Sequence, residues 1–319
     1  MLRRLFGQPG SRVRLPGACM SKETMSREQE NGMVSRPISR RHVLRWMAGL
    51  GMAAMATGVG GVVYTVAVEP EWLATERVTV AVPDLSPALE GLKVAHLSDL
   101  HWGRWTGQLE IGAAVQKANA LSPDLILLTG DYVYHSAKYA PPCARELAAL
   151  RAPLGVFAVP GNHDYMTDFD LVAAQLRTAG VTLLRNAAHW LGATGVPLWL
   201  AGIDSVSEQR HDLKAALATV PPGEPVLLMV HEPDLADEVA RLPHRILLQL
   251  SGHSHGGQVN LPLLGRLVLP ELAQRYPAGL QTVPGSALWV YTSRGIGLIS
   301  PPVRFNCRPE VALLTLTRA

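Results

Sequence analysis

Five short apolar runs, each ending on Asp, Asn or His, constrain this chain more than any other feature. Leu92–Leu97 leads into Ser98-Asp99-Leu100-His101, and Leu125–Thr129 into Gly130-Asp131. Gly155–Val159 leads into Pro160-Gly161-Asn162-His163-Asp164, Val226–Val230 into His231, and Ile246–Leu250 into Ser251-Gly252-His253-Ser254-His255. Runs this short and this apolar read as strands buried on both faces, the pattern of a largely parallel sheet. In α/β sheets the ligand crevice lies at the carboxyl ends of such strands. The spacing therefore predicts one crevice lined by imidazole, carboxylate and amide groups. Gly130, Gly161 and Gly252 stand where the chain must turn sharply to aim those groups.

The wider pattern agrees with α/β construction. Further strands are expected over Val78–Val82, Leu198–Ile203, Ala287–Thr292 and Val311–Leu316. Helices are expected near Leu109–Ala120, Ala144–Leu150, Phe169–Ala179, Asp212–Ala218 and Asp234–Leu242. Three cysteines with no C-x-x-C pair exclude a disulfide scaffold. The net charge of +3 is misleading, because residues 1–45 carry +7 and the remaining 274 residues carry −4. The body is mildly acidic, which argues against nucleic acid as a partner.

The amino-terminal region reads as an address. Trp46–Val68 is 23 residues without a charge, enough as a helix to cross a hydrocarbon core of about 30 Å. Before it lies Ser39-Arg40-Arg41-His42-Val43-Leu44-Arg45, which resembles a twin-arginine export signal. Three regions are expected: a basic segment over 1–45, an apolar signal or anchor over 46–68, and a catalytic domain over 69–319. The positive flank keeps the amino terminus cytoplasmic and places the body outside the plasma membrane. Cleaved signal and retained anchor both fit, as do starts at Met1 and Met33.

The candidate metal ligands are Asp99, His101, Asp131, Asn162, His231, His253 and His255. A mixed nitrogen and oxygen set suits Mn, Fe or Zn better than Mg or Ca. Seven ligands are too many for one tetrahedral ion and enough for two ions sharing a carboxylate. The ordered set D-x-H, G-D, G-N-H-D, H and G-H-x-H resembles the calcineurin-like metallophosphoesterases from about Leu92 to the carboxyl terminus. GHSHGGQV, SRGIG and FNCRPEV resemble its bacterial membrane-associated branch, some members of which are UDP-2,3-diacylglucosamine diphosphatases.

That resemblance implies a four-layer α/β sandwich and two divalent ions. Asp99, His101, Asp131 and His255 would hold the first ion, and Asp131, Asn162, His231 and His253 the second. A hydroxide bridging the ions would attack phosphorus, and His163 would serve the leaving oxygen as general acid, its ring oriented by Asp164 or Asp99. Arg266 or Arg294 would meet a substrate phosphate. The apolar Leu263, Leu264, Leu267 and Leu269 either form a lip for a lipid-linked phosphoester or a strand and turn of the second sheet. A catalytically idle metal-binding envelope protein is the alternative. His96, inside an apolar strand, reads as a hydrogen-bonded core residue.

Overall fold

A computed structural model of the chain describes residues 58–319, which all fall within one unit, Ala54–Ala319. The twin-arginine motif and residues 46–57 of the expected span lie outside the described residues. Residues 58–63 are helical and continue into a wider helical turn, Tyr64–Val68. Among the described residues no helix is long and apolar enough to cross a membrane.

Two six-stranded sheets form the body. The first contains β1 (Ala74–Val82), β2 (Lys93–Leu97), β3 (Leu125–Thr129), β4 (Val156–Val159), β5 (Thr182–Leu183) and β14 (Glu310–Arg318). Their order is β1-β14-β2-β3-β4-β5. β2 to β5 run parallel, β14 is antiparallel to β2, and β1 is parallel to β14. The second sheet contains β6 (Ala187–Trp190), β7 (Trp199–Gly202), β8 (Pro225–Met229), β9 (Arg245–Ser251), β12 (Gly279–Thr282) and β13 (Trp289–Thr292). Its order is β12-β13-β9-β8-β7-β6, with β7, β8, β9 and β13 parallel. β10 (Asn260–Leu261) and β11 (Gly265–Arg266) pair only with each other.

The period-2 alternation of the strands builds the layers. Val94, Leu125, Leu127 and Phe157 of the first sheet share a buried cluster with Leu200, Leu227, Met229 and Leu248 of the second. The opposite face of the first sheet, with Ala95, Leu97, Ile126 and Leu128, is covered by Ile111, Val115, Leu147 and Val172 from three helices. These are α1 (Gln108–Ala120), α2 (Ala140–Leu147) and α4 (Phe169–Thr178); the four-residue α3 (Asn162–Tyr165) precedes α4. On the far side of the second sheet, Leu228 and Val230 pack with Leu213, Ala216 and Val239 of α5 (Leu213–Leu217) and α6 (Ala236–Val239). Helix, sheet, sheet and helix are the four layers expected. Asp168 and Asp212 cap α4 and α5 by accepting from Leu171 N (3.1 Å) and Ala215 N (2.9 Å).

One local expectation gives way, and other local elements carry no sequence signal. The segment after His255 does not join the second sheet but forms the separate β10–β11 hairpin. Asn162–Tyr165 is a helical turn, its first turn closed by the Asp164 carboxylate, which accepts from Gly161 N (2.9 Å). The edge strands β5, β6 and β12 lie in stretches too short or too polar to show a strand period. His96 is buried against Thr129 Oγ1 (2.8 Å), as expected of a core residue, and burial lowers its pKa to about 3.

Candidate metal centre

The carboxyl ends of β2, β3, β4, β8 and β9 converge, so the two sheets deliver their polar residues to one place. Asp99, His101, Asp131, His231 and His255 are each at most 2% exposed. Asp99, His101, Asp131, His253 and His255 all have positive φ, between 44° and 67°. Non-glycine residues rarely adopt this conformation, and its clustering at a site is backbone strain held by the surrounding fold. The Asp99–His101 segment is therefore kinked, not extended. His253 and His255 are splayed by their own left-handed backbone as well as by Gly256 and Gly257.

Glycine is required here for two different reasons. Gly130 has φ +93°, and a Cβ there would lie 2.6 Å from Gly161 N and 2.8 Å from His231 Nδ1. Gly252 has no unusual φ, but a Cβ there would collide with Ser98 Oγ and Asp99 Oδ2. The first glycine permits a turn, and the second lets the sheets approach.

Nitrogen and oxygen atoms crowd together in the centre. His101 Nε2 lies 2.9 Å from His255 Nε2 and 3.3 Å from Asp131 Oδ2. His255 Nε2 is 3.5 Å from Asp99 Oδ1, and His231 Nε2 is 3.1 Å from Asp131 Oδ2. Three groups could each hold a cation: Asp99, His101 and His255; His101, Asp131 and His163; and Asp99, Asp131 and His231. His253 Nδ1 faces Asn162 Oδ1 at 3.1 Å, which brings the remaining two expected ligands together.

The ring partners fix two tautomers. His231 Nδ1 lies 2.6 Å from Thr129 O, and His253 Nε2 lies 2.9 Å from Glu271 O. A carbonyl can only accept, so each of these nitrogens carries the proton. The other nitrogen of each ring then points into the centre, His231 Nε2 toward a carboxylate and His253 Nδ1 toward an amide oxygen. Inward ring nitrogens among oxygen acceptors, with the outer nitrogen held by a carbonyl, are the arrangement of a cation site.

Electrostatics point the same way. Burial raises Asp99 to about 7, and Asp131 beside it adds to the rise. Burial lowers His101 to about 3 and holds His255 well below the usual imidazole range. Burial would also raise Asp131, yet His231, His163 and His101 together bring it well below the carboxylate range. His231 moves up strongly, because Asp131 and Asp99 outweigh burial. Two carboxylates thus recruit positive charge to a dry site.

The other expected residues are placed differently. His163 is half-buried at the edge of the centre, its ring 4.8 Å from that of His101, and its N–H donates to Asp131 Oδ1 (2.9 Å). Asp164 does not orient that ring. Its buried carboxylate accepts from Asp131 N (3.0 Å), Tyr132 N (2.8 Å) and Gly161 N (2.9 Å), tying the ends of β3 and β4 together. Asp99 accepts from His253 N rather than from His163. The two arginines expected to meet a substrate phosphate are each engaged by protein groups. Arg294 is held by Glu76 and Glu310, and Arg266 Nε donates to Gly256 O (3.2 Å). Both line a cavity of about 240 Å³ with Asn306 and Cys307 rather than the metal cluster.

Sequence reasoning missed Glu232. Its buried carboxylate accepts from Ser205 Oγ (2.7 Å), Val206 N (3.1 Å) and Ser207 N (3.0 Å), fixing the 205–207 loop beside His231. Its place directly after a ligand was the available signal.

Comparison with known proteins matches residues 92–257 to the calcineurin-like phosphoesterase model. The chain belongs to this family. It is 31% identical over 290 residues to the uncharacterized metallophosphoesterase YkuE of Bacillus subtilis, covering 88% of this chain and 98% of that one. Phosphodiesterase YaeI of Escherichia coli is 32% identical over 88% of this chain and 99% of its own length. The UDP-2,3-diacylglucosamine pyrophosphatase LpxG of Chlamydia trachomatis is 27% identical over 77% of this chain and 90% of its own. Among solved structures, NAD nucleotidase of Haemophilus influenzae aligns with a TM-score of 0.44 at 15% identity, over 64% of this chain and 45% of that one. Family membership makes the chain a metal-dependent hydrolase of phosphoric ester bonds, with its metal candidates in the cluster described.

Proposed function

We propose that the chain is a dinuclear phosphoester hydrolase that acts on a lipid-linked phosphodiester or diphosphate at the outer face of the plasma membrane. The observation that carries the dinuclear reading is the position of Asp131. Its Oδ2 lies within 3.3 Å of His101 Nε2 from the first sheet and 3.1 Å of His231 Nε2 from the second. A carboxylate reached from both sides is placed to be shared. Asp99, His101 and His255 complete one half, and Asn162, His231 and His253 the other.

Two divalent ions would supply Lewis acidity toward the phosphoryl oxygens and a nucleophile drawn from water. The protein's own groups do the rest. Asp164 and Glu232 hold the ligand-bearing loops through backbone N–H groups. His163, less buried than the ligands and tied to Asp131 through its backbone, is the group able to place a proton on the departing oxygen. The lipid-linked substrate is supported by the LpxG relative, whose name gives a diacylated nucleotide sugar, and by the apolar amino-terminal segment. Export by the twin-arginine route, with tethering through residues 46–68, rests on the motif at Ser39–Arg45.

The test is metal content and turnover of the purified full chain on four substrates: bis-p-nitrophenyl phosphate, p-nitrophenyl phosphate, UDP-2,3-diacylglucosamine and its deacylated head group. Two ions per chain and a preference for the acylated diphosphate are expected. Bound metal without turnover on any substrate would favour the idle envelope protein. For the route, Arg40→Lys with Arg41→Lys should hold the protein in the cytoplasm; undiminished export would point to another path.

A further inference from the structure

The β10–β11 hairpin presents an apolar tip that nothing in the fold requires. Leu263 is 106% exposed, Leu264 74%, Leu267 56% and Val268 74%. Leu263 also has φ +70°, a turn position that in water favours glycine or asparagine. A contiguous patch of this kind on a soluble body marks an interaction surface.

Its neighbours indicate what it meets. Arg304 N donates to Thr65 O (2.9 Å), and the Phe305 ring meets Tyr64 edge-on. Phe305 N in turn donates to Gln258 O (2.9 Å), and Phe305 O accepts from Asn260 N (2.9 Å). The hairpin therefore grows from the segment that flanks the docking loop of the 58–68 helix. That helix is itself uncharged, with Val59, Val62, Val63 and Val66 exposed, and in sequence it continues a stretch uncharged from Trp46 onward. Gly256–Pro270 contains one charged residue, Arg266, which is basic. Apolar side chains at a tip with an arginine at its base suit an anionic bilayer surface.

We infer that the 261–268 hairpin inserts into the bilayer as a second contact beside the amino-terminal segment, fixing the orientation of the metal-bearing face. The inference rests on the reading of residues 46–68 as a membrane segment. A single tether leaves a domain free to swivel; a second, 190 residues later in the chain, removes that freedom. The hairpin base adjoins Gly256, directly after the ligand His255, so the orientation it sets is transmitted to the centre through one turn of chain.

The experiment uses the full chain carrying Cys19→Ser, since Cys143 and Cys307 are buried. It is labelled at Leu264→Cys with an environment-sensitive fluorophore and reconstituted into vesicles of phosphatidylethanolamine and phosphatidylglycerol. Quenching by acyl-chain nitroxide lipids should exceed that of a label at Ala174→Cys, on the exposed side of α4, by at least about threefold. A label open to aqueous iodide but not to nitroxide would overturn the inference. So would a label shielded from both, which would mean a second copy or a protein partner. Flotation of the protein with the vesicles and hydrolysis of bis-p-nitrophenyl phosphate are measured on the same sample. Flotation without hairpin quenching removes only the second contact, whereas loss of flotation removes the membrane segment on which it rests.

Discussion

Two buried polar clusters lie on either side of Asp99, and they are built on opposite terms. Around Arg304, fully buried, the guanidinium donates to the carbonyls of Arg294 (3.0 Å), Cys307 (3.0 Å), Gly295 (3.3 Å) and Gly297 (2.7 Å). Glu69 accepts from Asn306 N and Cys307 N, and Glu310 from Tyr291 Oη (2.7 Å). Charge there is matched by protein groups. In the metal centre, imidazole nitrogens and carboxylates face one another with no basic side chain among them, and the Nδ1 atoms of His101 and His255 have no hydrogen-bond partner. Buried charge alone therefore does not mark a site. Convergent donors that the protein leaves without a proton or partner to share do mark one.

The largest effect should come from Asp131→Asn, which removes the carboxylate common to both halves. Bound metal should drop below two per chain and turnover should fall to background. Retained stoichiometry and rate would erase the distinction between the clusters. His163→Ala comes next, slowing turnover by roughly 10²–10⁴-fold with both metals in place. The loss should shrink on substrates with good leaving groups; an equal loss on all of them would remove His163 as the proton donor.

Arg304→Met addresses the other cluster. It leaves four buried carbonyls without their donor, so denaturant unfolding should show a loss of at least about 1–3 kcal/mol. Metal stoichiometry of the folded fraction should stay unchanged. A metal loss with unchanged stability would show that Arg304 serves the centre rather than the frame. At neutral pH the smallest effect concerns His96, whose part shows only in acid. Its native pKa of about 3 lies below the ordinary 6.5, so the unfolded chain binds the proton first as pH falls. Stability should therefore decline from pH 6.5 toward 3, by up to about 1.4 kcal/mol per pH unit from this residue. In His96→Gln that part of the slope should vanish; identical slopes in the two proteins would show that His96 protonates freely in the native state.

Much of the centre was legible because its residues sit at the ends of strands whose apolar runs are unmistakable. Leu125–Thr129 was bounded to the residue, and Asp131, His231 and His255 followed from such ends. Asp164 was visible but its task was not. Its partners Asp131 N and Tyr132 N are more than thirty residues upstream, and backbone donors leave no trace in a sequence. The partners of Arg294 were hidden for the same reason: Glu76, which holds it, is 218 residues away. Strained φ at five of the expected ligands was likewise unreadable, since residue type alone does not report backbone conformation.

The order of strands has a consequence for the order of synthesis. β14, the last strand of the described residues, lies between β1 and β2, the first two. Until Glu310–Arg318 arrives, those early strands have bare edges and Val94 and Val80 lack their covering neighbours Leu314 and Leu316. The brace on the ligand loop is late too, because Ile296 N and Gly297 N hold Ser98 O (3.1 Å) and Asp99 O (2.7 Å). The candidate metal donors are therefore made before the strand and segment that hold them together. Assembly of the centre waits on Ile296, Gly297 and Glu310–Arg318.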